Sequence, residues 1–190
     1  MTGIILSGGK STRMGTNKAL LQVGGERLID RIIGTFREIF RETILVTNSP
    51  LDYLDQDCTI ATDIIKGKGA LGGIYTGLFY ASCDHAFVTA CDMPFLNKSF
   101  IEYMIENCES YDIVVPEPAD GPQPLHAIYS KRCLPAIKRL IDQDQLKITG
   151  FYKGLKTRMI PDHVINRFDS GGKMFFNVNS QKDLKQILSF

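Results

Sequence analysis

Short apolar runs and longer amphipathic stretches alternate along this chain. Gly3-Ile4-Ile5-Leu6 is an unbroken apolar run of strand length. Residues 28–39 then repeat apolar positions with helical spacing. Residues 43–47 form a β-branched run that stops at the turn signal Asn48-Ser49-Pro50. The alternation continues with a short strand over 58–62 ending at Asp63, a helix over 71–81 and a buried strand over 85–90. A helix starting at Lys98 or Ser99 runs to about 107, and a strand covers 112–116. Proline and glycine density makes 116–124 a loop, 125–129 reads as a strand set against the sheet, and 133–142 as a helix. Further on, 148–153 is weakly helical, 157–160 and 175–178 are strand-like, and 181–188 closes with a helix. Alternating strands and helices predict βαβ units around a mostly parallel sheet. No repeat, low-complexity tract or linker divides the chain, so 1–190 is expected to form one doubly wound α/β domain.

The first strand runs straight into Ser7-Gly8-Gly9-Lys10-Ser11-Thr12-Arg13-Met14-Gly15-Thr16-Asn17-Lys18. Glycines let the backbone come close to a ligand, and successive N–H groups in such a loop make a concave anion site. Lys10, Arg13 and Lys18 add positive charge, so the segment reads as a polyphosphate cradle. It is not a P-loop, because the position separated by four residues from the Gly9-Lys10-Ser11 step is Ile4 rather than glycine. Nor is it a dinucleotide fingerprint, since Gly8 and Gly9 are adjacent and no glycine follows at the required spacing.

Charge and composition confine that anion site to this locality. The formal net charge of +1 provides no global field for nucleic acid. No apolar run reaches the roughly 18 residues that span a bilayer, and a strand starting at once leaves no room for a signal peptide. The five cysteines form no C-x-x-C pair and fit a reducing cytoplasm, and the three histidines show no ligand spacing. A cytoplasmic protein without nucleic-acid or membrane partners is expected.

In open α/β sheets ligands bind beyond the carboxyl ends of the strands. That rule gathers the glycine loop, Asn48, Asp63 and Asp92 at one edge. Asp92 follows a buried strand and precedes Met93-Pro94, which places a fixed carboxylate opposite the phosphate loop. Mg²⁺ takes one or two protein carboxylates and fills its octahedron with water and phosphate, so Asp92 is the metal candidate. Gly67-Lys68-Gly69-Ala70-Leu71-Gly72-Gly73 is a second glycine cluster ahead of a helix, where a nucleoside could lie against the backbone at Gly72. Spacing puts Asn177 and Asn179 on one face of the strand expected over 175–178, either completing a metal or phosphate site or capping the next helix. His126 either contacts an acceptor or is structural. No nucleophile–base set is discernible, which suits phosphoryl or nucleotidyl transfer.

Taken together, these motifs resemble the molybdenum cofactor guanylyltransferases, a branch of the Rossmann-like nucleotidyltransferases. The resemblance covers nearly the whole chain. It rests on Leu6-Ser7-Gly8-Gly9-Lys10-Ser11-Thr12-Arg13-Met14-Gly15 with Lys18, on Gly69-Ala70-Leu71-Gly72-Gly73-Ile74, and on Cys91-Asp92-Met93-Pro94-Phe95. Phe176-Asn177-Val178-Asn179 and Pro124-Leu125-His126-Ala127 add to it, the latter resembling the segment that faces the pterin. Ala70 stands where the family usually has proline.

The resemblance implies a single-domain, three-layer Rossmann-like fold with helices on both faces of a twisted, mostly parallel sheet. It implies that Leu6, Ser7 and Gly8 meet the guanine nucleotide mainly through their backbone. Arg13 and Lys18 would hold the triphosphate, Asp63 the nucleoside, and Asp92 both nucleotide and Mg²⁺, with Asn177 or Asn179 as a further ligand candidate. Asn48 joins the nucleoside pocket, with Thr47 competing for that register. The implied reaction transfers GMP from GTP to the terminal phosphate of Mo-loaded molybdopterin and releases pyrophosphate. Molybdopterin-delivering proteins or apo-molybdoenzymes are the partners it suggests. The alternatives are a related transferase using CTP and a nucleotide-binding regulatory module.

Overall fold

The computed structural model describes residues 1–8, 18–179 and 183. Most of the glycine loop and the helix expected over 181–188 therefore lie outside the described residues. The first strand, β1 (Thr2–Ser7), is buried along its whole length. A two-stranded hairpin, β2 (Gln22–Val23) and β3 (Glu26–Arg27), follows in a stretch that the periodicity leaves unassigned. Its turn is Gly24-Gly25, with φ of 63° and 86°, the two positive values that a type I′ hairpin turn demands. Helix α1 (Leu28–Ile39) buries Leu28, Ile29, Ile32, Ile33 and Phe36 on one stripe and leads into β4 (Glu42–Thr47).

Next come β5 (Thr59–Ala61), α2 (Gly69–Tyr80) and β6 (His85–Ala90), then α3 (Lys98–Glu106) and β7 (Ile113–Glu117). The Asn97 side chain caps α3 by accepting from the Phe100 N–H at 3.0 Å. The chain then forms β8 (His126–Ser130), α4 (Leu134–Asp142), β9 (Thr157–Pro161) and the short α5 (Asp162–Ile165). The weak helical signal over 148–153 is a 3-10 helix, Ile148–Tyr152.

The seven long-range strands form one sheet in the order β5-β4-β1-β6-β8-β7-β9. All are parallel except β8, which runs antiparallel between β6 and β7. The segment 125–129 is thus an interior strand of the sheet. Helices α2 and α4 cover one face, over Ile4, Leu6, Ile44, Val46 and Val88. Helices α1, α3 and α5 cover the other, over Ile5, Leu45, Phe87 and Ile128. This is the mostly parallel, three-layer fold expected.

Two expectations need correction. The loop expected from Pro116 begins later, because Pro116 and Glu117 still pair with Ile160 and Pro161 of β9. Residues 175–178 form no strand: Phe175 ends a 3-10 helix, Lys173–Phe175, and 176–179 are irregular. Phe175 packs in the cluster on the α1 face, whereas Val178 packs with Val23 and Leu28. Val178 is instead tied to the turn after β6, through the Asp92 carbonyl, and pairs with no strand. Asn177 and Asn179 therefore do not share a strand face.

Candidate active site

The topology switches direction at β1. The chain passes over one face by α1 to β4 and β5, then returns over the other face by α2 to β6 on the opposite side of β1. Crevices at such a switch point, beyond the carboxyl ends of the strands, are where open α/β sheets bind ligands. Register aligns the ends: Ser7 lies beside Thr47, Val46 beside Ala61 and Leu6 beside Ala90. The residues that follow, Gly8, Asn48, Asp63 and Asp92, leave the sheet on one edge.

Local bonds decide which group faces outward. Ser7 is buried, and its hydroxyl bonds the Tyr53 hydroxyl at 2.5 Å, leaving the main chain of Ser7 and the exposed Gly8 at the edge. Thr47 is also buried, and its Oγ1 accepts from the Ser49 N–H at 3.1 Å. Asn48 is exposed, and its Nδ2 donates to Asp63 Oδ2 at 2.7 Å. Thr47 thus braces the turn from inside, while Asn48 is joined to Asp63. The Leu6 side chain points into the core, against Gly73 of α2.

Asp92 sits in a turn bonded on both sides. The Cys91 N–H donates to Leu6 O at 3.0 Å, and the Met93 N–H donates to Ala90 O at 3.3 Å. The Val178 N–H donates to Asp92 O at 2.8 Å, tying the C-terminal segment to this turn. Asn177 and Asn179 are consequently close in the chain to the Asp92 contact although no strand carries them. The Asn177 side chain donates to Phe175 O at 3.1 Å, and the Asn179 N–H donates to Asp183 Oδ2 at 2.8 Å. No cluster of three or more His, Cys, Asp or Glu side chains suited to a metal occurs among the described residues. A half-buried carboxylate just past a strand end is the donor type that suits a hard cation taking one or two protein carboxylates.

The second glycine cluster opens α2. Gly72 and Gly73 are buried in its first turns. A Cβ added at Gly72 would lie 3.2 Å from the Ile65 carbonyl oxygen, and one at Gly73 would lie 3.1 Å from Leu6 Cδ2. These glycines bring the helix start against the turn after Asp63 and against β1. Arg13 and the Lys18 side chain fall outside the described residues, and only the main chain of Lys18, opening the 3-10 helix Lys18–Leu20, is placed.

His126 lies at the same edge, because β8 runs antiparallel and pairs His126 with Thr89. It does not face outward. The ring is fully buried, with Phe87 and Phe175 edge-on at 5.0 and 5.3 Å and Phe100 stacked at 6.0 Å. Neither ring nitrogen has a hydrogen-bond partner, nor does Thr89 Oγ1. Burial pushes the imidazole pKa down to about 3, so it is neutral at physiological pH. Contact with an acceptor, one of the two roles open for His126 in the sequence, does not fit this placement.

Sequence reasoning missed Tyr53 and Thr76. Tyr53 is a buried hydroxyl on a 3-10 helix, Pro50–Tyr53, after an exposed turn. Thr76 is a single hydroxyl in an otherwise apolar helix. Neither carries a spacing signal that would distinguish it from core.

A family model described as the MobA-like NTP transferase domain matches residues 3–157. The chain is 39% identical, over 98% of its own length and 93% of the relative's, to a protein of Desulfosudis oleivorans named molybdenum cofactor guanylyltransferase. It is 38% identical, over 96% of this chain and 89% of the relative, to a Pelotomaculum thermopropionicum protein named probable molybdenum cofactor guanylyltransferase. The crystal structure of the molybdopterin-guanine dinucleotide biosynthesis protein A of Archaeoglobus fulgidus superposes with a TM-score of 0.87 at 27% identity, covering 100% of this chain and 97% of that one.

Proposed function

The chain belongs to the MobA-like NTP transferase family, and from that premise we propose that it transfers GMP from GTP to the terminal phosphate of Mo-loaded molybdopterin. The observation that carries the reading is the shared strand-end edge. It brings Gly8, the Asn48–Asp63 pair and Asp92 to the crevice beside β1, with the glycine-opened start of α2 against the same turn. In the transfer, an oxygen of the acceptor phosphate forms a bond to the GTP α-phosphorus. The bond from that phosphorus to the α,β-bridging oxygen breaks, and pyrophosphate leaves with the electron pair.

The main chain at Leu6, Ser7 and Gly8 supports the nucleotide, since the side chains of Leu6 and Ser7 are turned inward. Asp63, steadied by Asn48, accepts hydrogen bonds on the nucleoside side, and Gly72 keeps the helix start close to it. Arg13 and Lys18 grip the β- and γ-phosphates that become the leaving group. Asp92, with Asn177 or Asn179 beside it, would hold Mg²⁺, which when bound supplies neutralising charge to the phosphates. With an anionic phosphate as attacker, no general base is needed, and positioning and charge stabilisation do the work.

No helix among the described residues is long and apolar enough to cross a membrane. We place the reaction in the cytoplasm, with molybdopterin-delivering proteins or apo-molybdoenzymes as partners.

Asp92→Ala is the direct test, read as pyrophosphate release from GTP plus molybdopterin with Mg²⁺. Activity is expected to fall at least ~100-fold, the scale of losing one preorganised electrostatic group, with the thermal midpoint little changed. Persistent turnover would remove Asp92 from the metal site. A calorimetric preference of the wild type for CTP over GTP would overturn the guanylyl assignment.

A further inference from the structure

Asp63 stands on a turn that leaves the edge strand β5, and this turn is held by α2. The Ile64 N–H donates to Thr76 Oγ1 at 3.0 Å, and the same hydroxyl donates to Gly72 O at 2.9 Å. A hydroxyl has one proton and two acceptor positions. With its proton committed to Gly72 O, Thr76 keeps a lone pair for the Ile64 amide, so the two bonds are compatible. Thr76 is fully buried, in a helix whose other buried side chains are apolar.

One turn earlier on the same helix face, Gly72 leaves only enough room for the Ile65 carbonyl, which a Cβ would approach to 3.2 Å. The face formed by Gly72 and Thr76 therefore packs close against the two residues directly after Asp63, and Thr76 bonds the first of them. Threonine is a poor choice for a helix interior on local grounds, because it is β-branched and bonds back to its own helix. The bond it makes outside the helix, to the Ile64 N–H, offsets that local disadvantage.

We propose that Thr76 is a positioning residue for the nucleotide site: its hydroxyl fixes the Asp63 turn on α2 and thereby sets the affinity for GTP, without touching the nucleotide. Asn48, in the turn after β4, restrains the Asp63 carboxylate, and Thr76 on α2 restrains the backbone that directly follows Asp63. The inference rests on the GTP reading above.

The test compares Thr76→Val, which keeps the shape and loses the hydroxyl, with Thr76→Ser, which keeps the hydroxyl. Thr76→Val is expected to raise KM and calorimetric Kd for GTP by roughly 3–10-fold, the range that losing one neutral hydrogen bond produces. Its kcat and its KM for molybdopterin should stay within about twofold, the split that marks a lost binding interaction. Thr76→Ser should restore the GTP values. Hydrogen exchange at the Ile64 amide should quicken in Thr76→Val and not in Thr76→Ser. An unchanged KM for GTP, or a fall in kcat alone, overturns the proposal. Should Thr76→Val fail to fold, Thr76→Ala removes the same hydroxyl and is expected to raise the KM for GTP, and no change there overturns the proposal equally. A wild type that binds no GTP would instead overturn the functional reading, while the exchange measurement would still decide whether Thr76 holds the turn.

Discussion

Helices α1 and α2 have the same length, twelve residues each, and lie on opposite faces of β1, yet they meet that strand in inverse ways. On the α1 side the strand is small and the helix side large. A Cβ at Gly3 would come within 2.5 Å of the Phe36 ring and 2.6 Å of the Phe40 ring. On the α2 side the helix is small and the strand large, and a Cβ at Gly77 would come within 2.6 Å of Ile4 Cγ2. Glycine in the strand makes a socket for two aromatic rings, Phe40 stacked on Phe87 and Phe36 edge-on to it in the core. Glycines along the helix let its backbone lie low on the sheet and bring its first turn to the carboxyl edge. One contact serves the core, and the other places a helix start beside the proposed nucleotide site.

Gly3→Ala should cause the largest change in stability, because the buried Phe36 and Phe40 rings that crowd the new methyl are packed against each other and against Phe87. We expect a loss of about 3 kcal/mol, the upper part of the usual overpacking range. That is a fall in thermal midpoint of roughly 6–12 °C for a chain of this size, with GTP affinity of the folded protein unchanged. Gly77→Ala should cost less, about 1–2 kcal/mol, since the helix gains up to ~1 kcal/mol of propensity against the clash with Ile4. It should nevertheless weaken GTP binding, by lifting α2. If Gly3→Ala altered GTP affinity as much as Gly77→Ala, the division between a core face and a site-building face would be gone.

His126→Phe should have the smallest effect at neutral pH, because phenylalanine fills the same aromatic box. Its effect appears in acid. The folded imidazole stays neutral down to about pH 3, whereas an exposed histidine takes a proton near pH 6.5. Between those values the unfolded chain binds the extra proton, so wild-type stability is complete above about pH 6.5 and declines as the pH drops below it. The slope is at most about 1.4 kcal/mol per pH unit. A urea titration series should show a flatter acid limb in His126→Phe. An identical acid limb would mean that the ring is not held neutral.

How far the chain could be read follows the range of the interactions involved. β1, β4 and β6 are buried runs of strand length and were legible from composition alone, as was the stripe of α1. Asn48, Asp63 and Asp92 were legible because each directly follows such a run, and strand ends in a parallel sheet share an edge. The turn at Gly24-Gly25 carried a hairpin signal in plain view, between strands too short to show a period. Residues 175–178 carried a strand-like alternation and form no strand: Phe175 ends a 3-10 helix in one cluster and Val178 packs in another. Tyr53 and Thr76 carried no signal at all, since a buried hydroxyl in an apolar setting shows its purpose only through its partner.

The sequence by itself determined the alternation of strands and helices, the edge on which the polar groups collect, and the chemistry those groups can support. These follow from periodicity and from the few residues around each strand end. The tertiary structure alone decided that β8 runs antiparallel inside the sheet and turns His126 into an aromatic box. It alone decided that Asn48 reaches Asp63 while Thr47 turns inward, and that one threonine of α2 holds the Asp63 turn. Each of these is a pairing between residues distant in the chain. Such pairings depend on which neighbour is present, and a local pattern holds no record of that.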